Sequence, residues 1–134
     1  MGSYADYLEN KLVGLAFGSV SFSPAATLYV GLSTTTITDA GGNITEPSGN
    51  NYSRVSVTNN SSNFNTPSGG ATANTNAITF PTASGSWGTV TDFFISDASS
   101  GGNIYCYGAL STAQSITTNN TLSIPAGDLD IIQT

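Results

Sequence analysis

The feature that most constrains the fold is a series of short hydrophobic segments in the chain after residue 19. Several of them alternate hydrophobic and polar residues, which is the pattern of a half-buried strand. They lie at residues 27–32, 52–58, 77–80, 90–97, 104–110, 121–124 and 129–132. No segment between them has a helical period, which disfavours a parallel α/β fold. The spacing predicts an all-β fold, an antiparallel β-sandwich or jelly-roll-like domain.

One helix is predicted, at residues 3–17 near the N-terminus. Ser3 followed by Asp6 resembles a capping box, and Gly18 is a typical helix stop. The apolar stripe of this helix consists of Tyr4, Leu8, Leu12 and Leu15. We therefore divide the chain into an N-terminal docking helix (1–18) and a β-sandwich domain (19–134). The stripe either caps the sandwich or docks against a neighbouring subunit, and replacing Leu8 and Leu12 with Asp tests the second alternative.

The charge balance argues against several classes of partner. The chain has 2 basic and 8 acidic residues and a net charge of −6. Nucleic-acid binding requires clusters of Lys and Arg, which are absent from the sequence. The apolar run near residues 13–17 is too short to span a bilayer, so no membrane insertion is predicted. With only 7% charged residues and many Ser, Thr and Asn residues, the surface is suited to contacts that desolvate few charges.

Chemical activity is also disfavoured. The chain has no His, which removes His-dependent triads and His-based metal sites. Four of the six carboxylates after residue 38 lie in Gly-rich turns, and the Asp39 to Glu46 loop does not match a calcium-binding loop. Asp92 is expected on a strand, where it could pair with Arg54. The sequence therefore predicts a protein that is not an enzyme and that uses no cofactor or metal.

Two aromatic residues suggest a second class of function. Sugar rings stack on exposed aromatic faces, and Tyr52 and Trp87 are available on the predicted strands and loops. A host-surface glycan is thus an alternative partner. Cys106 has no intrachain disulfide partner, because it is the only cysteine, and its position in a predicted strand indicates a buried thiol.

Eight short motifs occur in an order that resembles a known family. They begin after the helix with residues 27–33 and 46–49 and continue through 51–55, 76–81, 87–88, 95–97, 100–103 and 122–129. The pattern is similar to that of small tailed-phage structural proteins that are often labelled tail fibre proteins. The resemblance runs nearly from end to end. It implies an extracellular virion component whose partners are copies of itself and other virion structural proteins.

The resemblance leaves the position in the virion open. One alternative is a repeated subunit of a tail fibre or fibre-like appendage, assembled through its helix and sheet edges. The other is a capsid decoration protein. Arg54 resembles the family's Tyr-x-Arg element, which implies either an internal ion pair or an interface anchor. Together with the helix stripe it forms the predicted assembly interface.

Overall fold

The secondary structure is dominated by short strands. A computed structural model describes residues 2–133, so Met1 and Thr134, the outer limits of the two predicted segments, lie outside the described residues. The elements in chain order are β1 (Gly2–Tyr4), α1 (Asp6–Ala16), β2 (Thr27–Ser33), β3 (Val55–Thr58), β4 (Ala71–Ala73), β5 (Ile78–Thr79), β6 (Gly88–Ser96), β7 (Ile104–Ile116), β8 (Ser123–Ile124) and β9 (Asp130–Ile132). The predicted all-β fold with one short N-terminal helix is confirmed.

The strands form one large and one small sheet. The large sheet has the order β3-β2-β6-β7-β1-β9-β4, and the small sheet pairs β5 with β8. Neighbouring strands are antiparallel with one exception, the parallel pair of β1 and β9. The antiparallel prediction is therefore corrected at this pair. The N-terminal strand inserts between two strands from the C-terminal half, which joins the two ends of the chain in one sheet.

The centre of the large sheet follows the predicted alternation. Leu28, Val30 and Leu32 of β2 are all buried, as the period-two pattern requires. In β6 the neighbours Phe93 and Phe94 point to opposite faces, and both are at most 2% exposed. This part of β6 is therefore buried on both of its faces.

One core lies between the large sheet and the small one. The small sheet contributes Ile78 and Ile124, and the flanking residues Phe80 and Leu122 complete this layer. Leu8 of the helix belongs to the same cluster of buried side chains. The N-terminal segment therefore shares the core of the strands that follow it.

The N-terminal helix is shorter than the sequence predicts. It begins at Asp6 after an N-cap at Ala5 that makes no side-chain capping bond, so the predicted Ser3 capping box is wrong. Ser3 instead lies in β1, opposite Tyr107 of β7, because pairing within the sheet satisfies the backbone there. The predicted stop is confirmed: Gly18 has a φ of 75° directly after the C-cap residue Phe17.

The polar stretch at residues 59–75 is more ordered than a loop. It contains β4, which pairs with β9, and Phe64 is half-buried against the core. The buried Asn74 holds the stretch to the chain near residue 125. Its amide donates to the carbonyls of Asn76 and Pro125, and its Oδ1 accepts from the N–H groups of Gly127 and Leu129. Within residues 2–133, no helix has the length and apolarity to cross a membrane.

Candidate assembly surface

The predicted apolar stripe of the helix is divided between the core and the surface. Leu8 is 8% exposed, and Leu12 is half-buried against the core. Tyr4 lies in β1, where it is paired with Cys106. Leu15 is 49% exposed. Because the helix begins at Asp6, the four residues do not form one continuous helical face.

The exposed large hydrophobic residues of the described chain are concentrated where α1 ends. They are Val13, Leu15, Phe17 and Val20, and Phe17 alone is 84% exposed. We call these four residues the helix-end patch. Of these four, only Leu15 belongs to the predicted stripe. Val13 and Phe17 lie in the apolar run that ends at Gly18, which was a signal for them in the sequence, whereas Val20 lies beyond that stop.

The backbone after α1 brings these residues together. The N–H of Ser19 donates to the carbonyl of Gly14 at 2.9 Å, and that of Gly18 to Leu15 at 3.4 Å. These two bonds are those of a Schellman motif, which turns the chain sharply after a helix. The turn places Val20 directly beside Gly14, where a Cβ atom would lie 2.6 Å from the Cγ2 atom of Val20. Gly14 therefore permits the close packing that holds Val20 next to the helix.

An aromatic cluster fixes the patch to the sheet. Tyr7 stacks on Tyr105 of β7 with a centroid distance of 5.9 Å, and Phe22 contacts both rings. The hydroxyl of Tyr105 also accepts a hydrogen bond from the N–H of Ala25 at 3.1 Å, and burial raises the pKa of this phenol. The segment that carries Phe17 and Val20 is thus anchored at both ends.

The patch lies in an uncharged part of the chain, because residues 12–38 contain no charged side chain. The acidic residues near the start of α1 form a separate group. Carboxylate oxygens of Asp6, Glu9 and Asp39 lie within 4.8 Å of one another, and the first-turn carboxylates face the positive end of the helix dipole. Tyr107 donates to Asp39 at 2.9 Å. Partial burial, this bond and the nearby carboxylates raise the pKa of Tyr107 to about 12.

Arg54 forms an internal ion pair. Its Nη2 and Nε atoms bind the two carboxylate oxygens of Glu46 at 2.7 and 3.0 Å, and its side chain is 5% exposed. Nη1 donates to the Ser96 hydroxyl and to the Ala98 carbonyl, while the guanidinium lies 4.8 Å from the centre of the Phe94 ring. The sequence left two interpretations of Arg54 open, an internal ion pair and an interface anchor. The observed geometry is that of an internal ion pair.

The suggested pairing of Asp92 with Arg54 is wrong. Asp92 is buried, and its Oδ2 atom accepts a hydrogen bond from the N–H of Ile37 at 3.4 Å. It therefore holds the long loop after β2 against the sheet. The partner of Arg54, Glu46, comes from that same loop, eight residues before Arg54, where sequence spacing gave no reason to select it.

Of the two aromatic residues assigned to sugar contact, Trp87 is buried and Tyr52 is half-buried against the core. Trp87 is 4% exposed, and its indole N–H donates to the carbonyl of Asn50. Its ring meets Tyr52 edge-on at 5.2 Å, and Tyr52 stacks on Phe80. The Tyr52 hydroxyl donates to Glu46 and accepts from the N–H of Leu32. Contact between Trp87 and a sugar would require the core to open.

The fold and this surface are those of a small β-structural module. Within residues 2–133, its exposed large hydrophobic side chains cluster where α1 ends. A family model described as "Podophage GP4 fiber I protein gp80" matches residues 3–132. Because the match covers nearly the whole chain, the protein belongs to this phage fibre family. No curated protein matches the chain.

Family membership confirms the resemblance to phage fibre proteins. The chain is a structural fibre protein of a bacteriophage and a component of the virion. This role implies association with other virion components.

Proposed function

We propose that this protein is a non-enzymatic subunit of a tail fibre or fibre-like appendage that assembles through its helix-end patch. The observation that carries the proposal is the exposure of Phe17, Val13 and Leu15 on a segment that is itself firmly anchored. Burial of a fully exposed large apolar side chain contributes about 1.5–3 kcal/mol. In a monomer these side chains stay in water and contribute nothing to stability. In an assembly they become buried and stabilise the contact between subunits.

The outer edge of β3 extends this surface. β3 is an end strand of the large sheet, and its side chains at Ser56 and Thr58 are exposed. Asn59, directly after β3, donates through its backbone and side chain to the carbonyls of Ala26 and Ala25, so the edge adjoins the segment of the patch. A standard interface buries about 800 Å² per partner, which four side chains cannot supply alone. The patch and the β3 edge together form the proposed contact.

The other end of the sheet is covered in part by the chain itself. The carbonyl of Ala73 in β4 accepts from the N–H of Asn65, and the Thr72 hydroxyl donates to the carbonyl of Asn65. At β3 the side-chain amide of Asn63 also donates to the carbonyl of Thr58. We select β3 because it adjoins the segment of the patch, whereas β4 is at the opposite end of the large sheet.

A non-enzymatic role agrees with the use of the polar groups. Glu46 is engaged by Arg54 and Tyr52. Asp97 accepts from the backbone and side chain of Asn103 in the turn between β6 and β7. These carboxylates support loops and turns, which is the structural use of such residues in β proteins.

Immunogold labelling of intact virions tests the placement. Antibodies against the purified chain should label fibre-like appendages of the tail at several positions per particle. Labelling spread over the capsid surface would contradict the proposal and support capsid decoration. Virions that carry a chain with Phe17→Ser should show less label at the same positions, with Ser99→Ala as the matched surface control.

A further inference from the structure

A groove lies beside the second half of β7, away from the helix-end patch. It has a volume of about 700 Å³, and its two walls are residues 109–116 and 120–130. The aromatic cluster beneath the patch is at Tyr105, near the start of β7. Ile95 of β6 pairs with Cys106, and Asp92 pairs with Ala109 at the near end of the groove. These two β6 residues are three apart, so about 10 Å of strand separates the two regions. The groove is therefore a second surface, independent of the proposed assembly contact.

The groove follows a strand edge that has no neighbour in the described chain. β1 pairs with β7 from Cys106 to Gly108, whereas β7 continues to Ile116. Beyond Gly108, the side of β7 that faces β1 has no pairing strand among residues 2–133. An unpaired edge presents a row of backbone N–H and C=O groups that can bind an additional strand.

The pairing of β7 with β6 is also interrupted at this point. Val90 is opposite Gln114 and Asp92 is opposite Ala109, so several residues of β7 bulge outward across from Thr91. The Oγ1 atom of Thr91 is buried and has no hydrogen-bond partner within the described residues. Such bulges redirect a strand and are frequent at functional sites. Here the bulge forms one wall of the groove.

The lining favours a polypeptide over a sugar. Its only aromatic residue within the described chain is Phe93, which is 2% exposed, so no ring is available for stacking on a sugar. Seven of the eighteen lining residues are Ser, Thr, Asn or Gln, and Leu110 is half-buried at the bulge. Backbone groups along an edge and short polar side chains suit an extended chain that binds by strand addition.

The charge of the groove indicates that the strand comes from a different protein. Asp128 and Asp130 both line it, and Asp128 is exposed. A basic residue of a partner would complement the exposed carboxylate of Asp128. The chain has two cations, and neither lies on an extended exposed segment: Arg54 is bound to Glu46, and Lys11 sits in α1 above the Tyr7 ring. A second copy therefore has little to offer this site.

We propose that the groove between β7 and residues 120–130 binds an extended segment of another virion polypeptide, one that carries Lys or Arg and adds as a strand to the open edge of β7. The segment would pair with backbone groups after Gly108, while its basic side chain faces Asp128. This contact would join the fibre subunit to a neighbouring component of the particle. It is separate from the contact between copies at the helix-end patch.

Photo-crosslinking in intact virions tests this proposal. Thr112, which lines the groove, is replaced by p-benzoylphenylalanine, and the same replacement at the exposed Ser99 serves as the control. After irradiation, mass spectrometry should find Thr112→p-benzoylphenylalanine joined to a different virion polypeptide, at a peptide that contains Lys or Arg. Adducts formed with other copies of this chain alone, adducts with a glycan, or no adduct at position 112 would each overturn the proposal.

Two further measurements separate strand addition from simple proximity. Amide hydrogens of residues 110–115 should exchange more slowly in virions than in the purified chain, and equal exchange in the two would contradict strand addition. Asp128→Asn should reduce the yield of the adduct about two- to fivefold, the effect of one exposed charge pair. Glu9→Gln, on the helix, is the matched control and should leave the yield unchanged. An equal yield from Asp128→Asn would show that the Asp128 carboxylate does not contribute to binding of the segment.

Discussion

At the scale of single residues, the polar groups of this protein are used to hold loops on the sheet. Arg54 connects the loop that carries Glu46 with the turn after β6, which includes Ala98 and Gly101. The sequence indicated that so isolated an Arg has a partner, and this is correct. The identity of the partner could not be predicted, because it depends on how the loop between β2 and β3 folds back over Phe94.

Arg54→Ala should lower the free energy of unfolding by about 3 kcal/mol, the lower part of the range for breaking a buried ion pair, since Glu46 remains 27% exposed. The loss includes the hydrogen bonds to Ser96 and Ala98. Urea unfolding followed by circular dichroism measures it. Lys11→Ala is the matched control and should cost less than 1 kcal/mol. Equal effects of the two variants would show that the Arg54 network contributes little.

Stability should also fall at alkaline pH, because buried acids keep their protons in the folded state. Burial raises the pKa of Cys106 from its ordinary value of 9.0 to about 12, and burial together with the bond to Glu46 raises the pKa of Tyr52. A pKa that is higher in the folded state gives stability that is complete below the unfolded pKa. That stability is lost as the pH rises from about 9 toward 12. Each such group contributes a slope of about 1.4 kcal/mol per pH unit.

The contribution of Cys106 can be isolated. Between pH 8 and 9.5 the unfolded thiol begins to ionise while most unfolded Tyr side chains remain protonated. The urea midpoint of the wild type should therefore decrease in this range, and that of Cys106→Ala should change little. A parallel decrease in both proteins would mean that Cys106 is not protected from ionisation in the folded state.

At the scale of elements, the N-terminal segment shows where sequence periodicity reaches its limit. The helical spacing identified α1 and its stop at Gly18, but it extended the helix backward over residues that form β1. The competing factor is tertiary: Gly2 and Ser3 pair with strands on both sides, β7 and β9. Local pattern contains no information on such distant pairing. Because the helix begins later than predicted, its exposed hydrophobic residues are those of the helix-end patch and not the predicted stripe as a whole.

A docking stripe implies that Asp at Leu8 disrupts assembly and leaves the fold intact. Because Leu8 is buried in the core, we expect the substitution to disrupt the fold instead. Leu8→Asp places a charge in the core and should lower the free energy of unfolding by several kcal/mol, with loss of β-type circular dichroism at moderate temperature. Phe17→Asp changes a side chain that is 84% exposed and should leave the thermal transition within a few degrees of the wild type. Similar destabilisation by both variants would contradict the division of the helix into a buried and an exposed side.

At the scale of the whole molecule, the strand pattern predicted the fold class and the central strands β2, β6 and β7. It also predicted segments that contain β5 and β8. It did not predict the parallel pairing of β1 with β9 or the pairing of β5 with β8, since both depend on contacts between distant segments. The composition predicted a protein that acts through its surface, and the family match places that surface in a virion. The residues of the helix-end patch were largely missed because exposure depends on which face the remaining chain covers.

The most direct test of the central claim is sedimentation velocity of the purified chain over a wide concentration range, with negative-stain electron microscopy of the same samples. The wild type should form larger species as the concentration rises, and Phe17→Ser should remain monomeric while retaining the wild-type circular dichroism. Ser99→Ala should behave as the wild type. If Phe17→Ser assembles to the same extent as the wild type, the helix-end patch is not the surface through which copies of this protein associate.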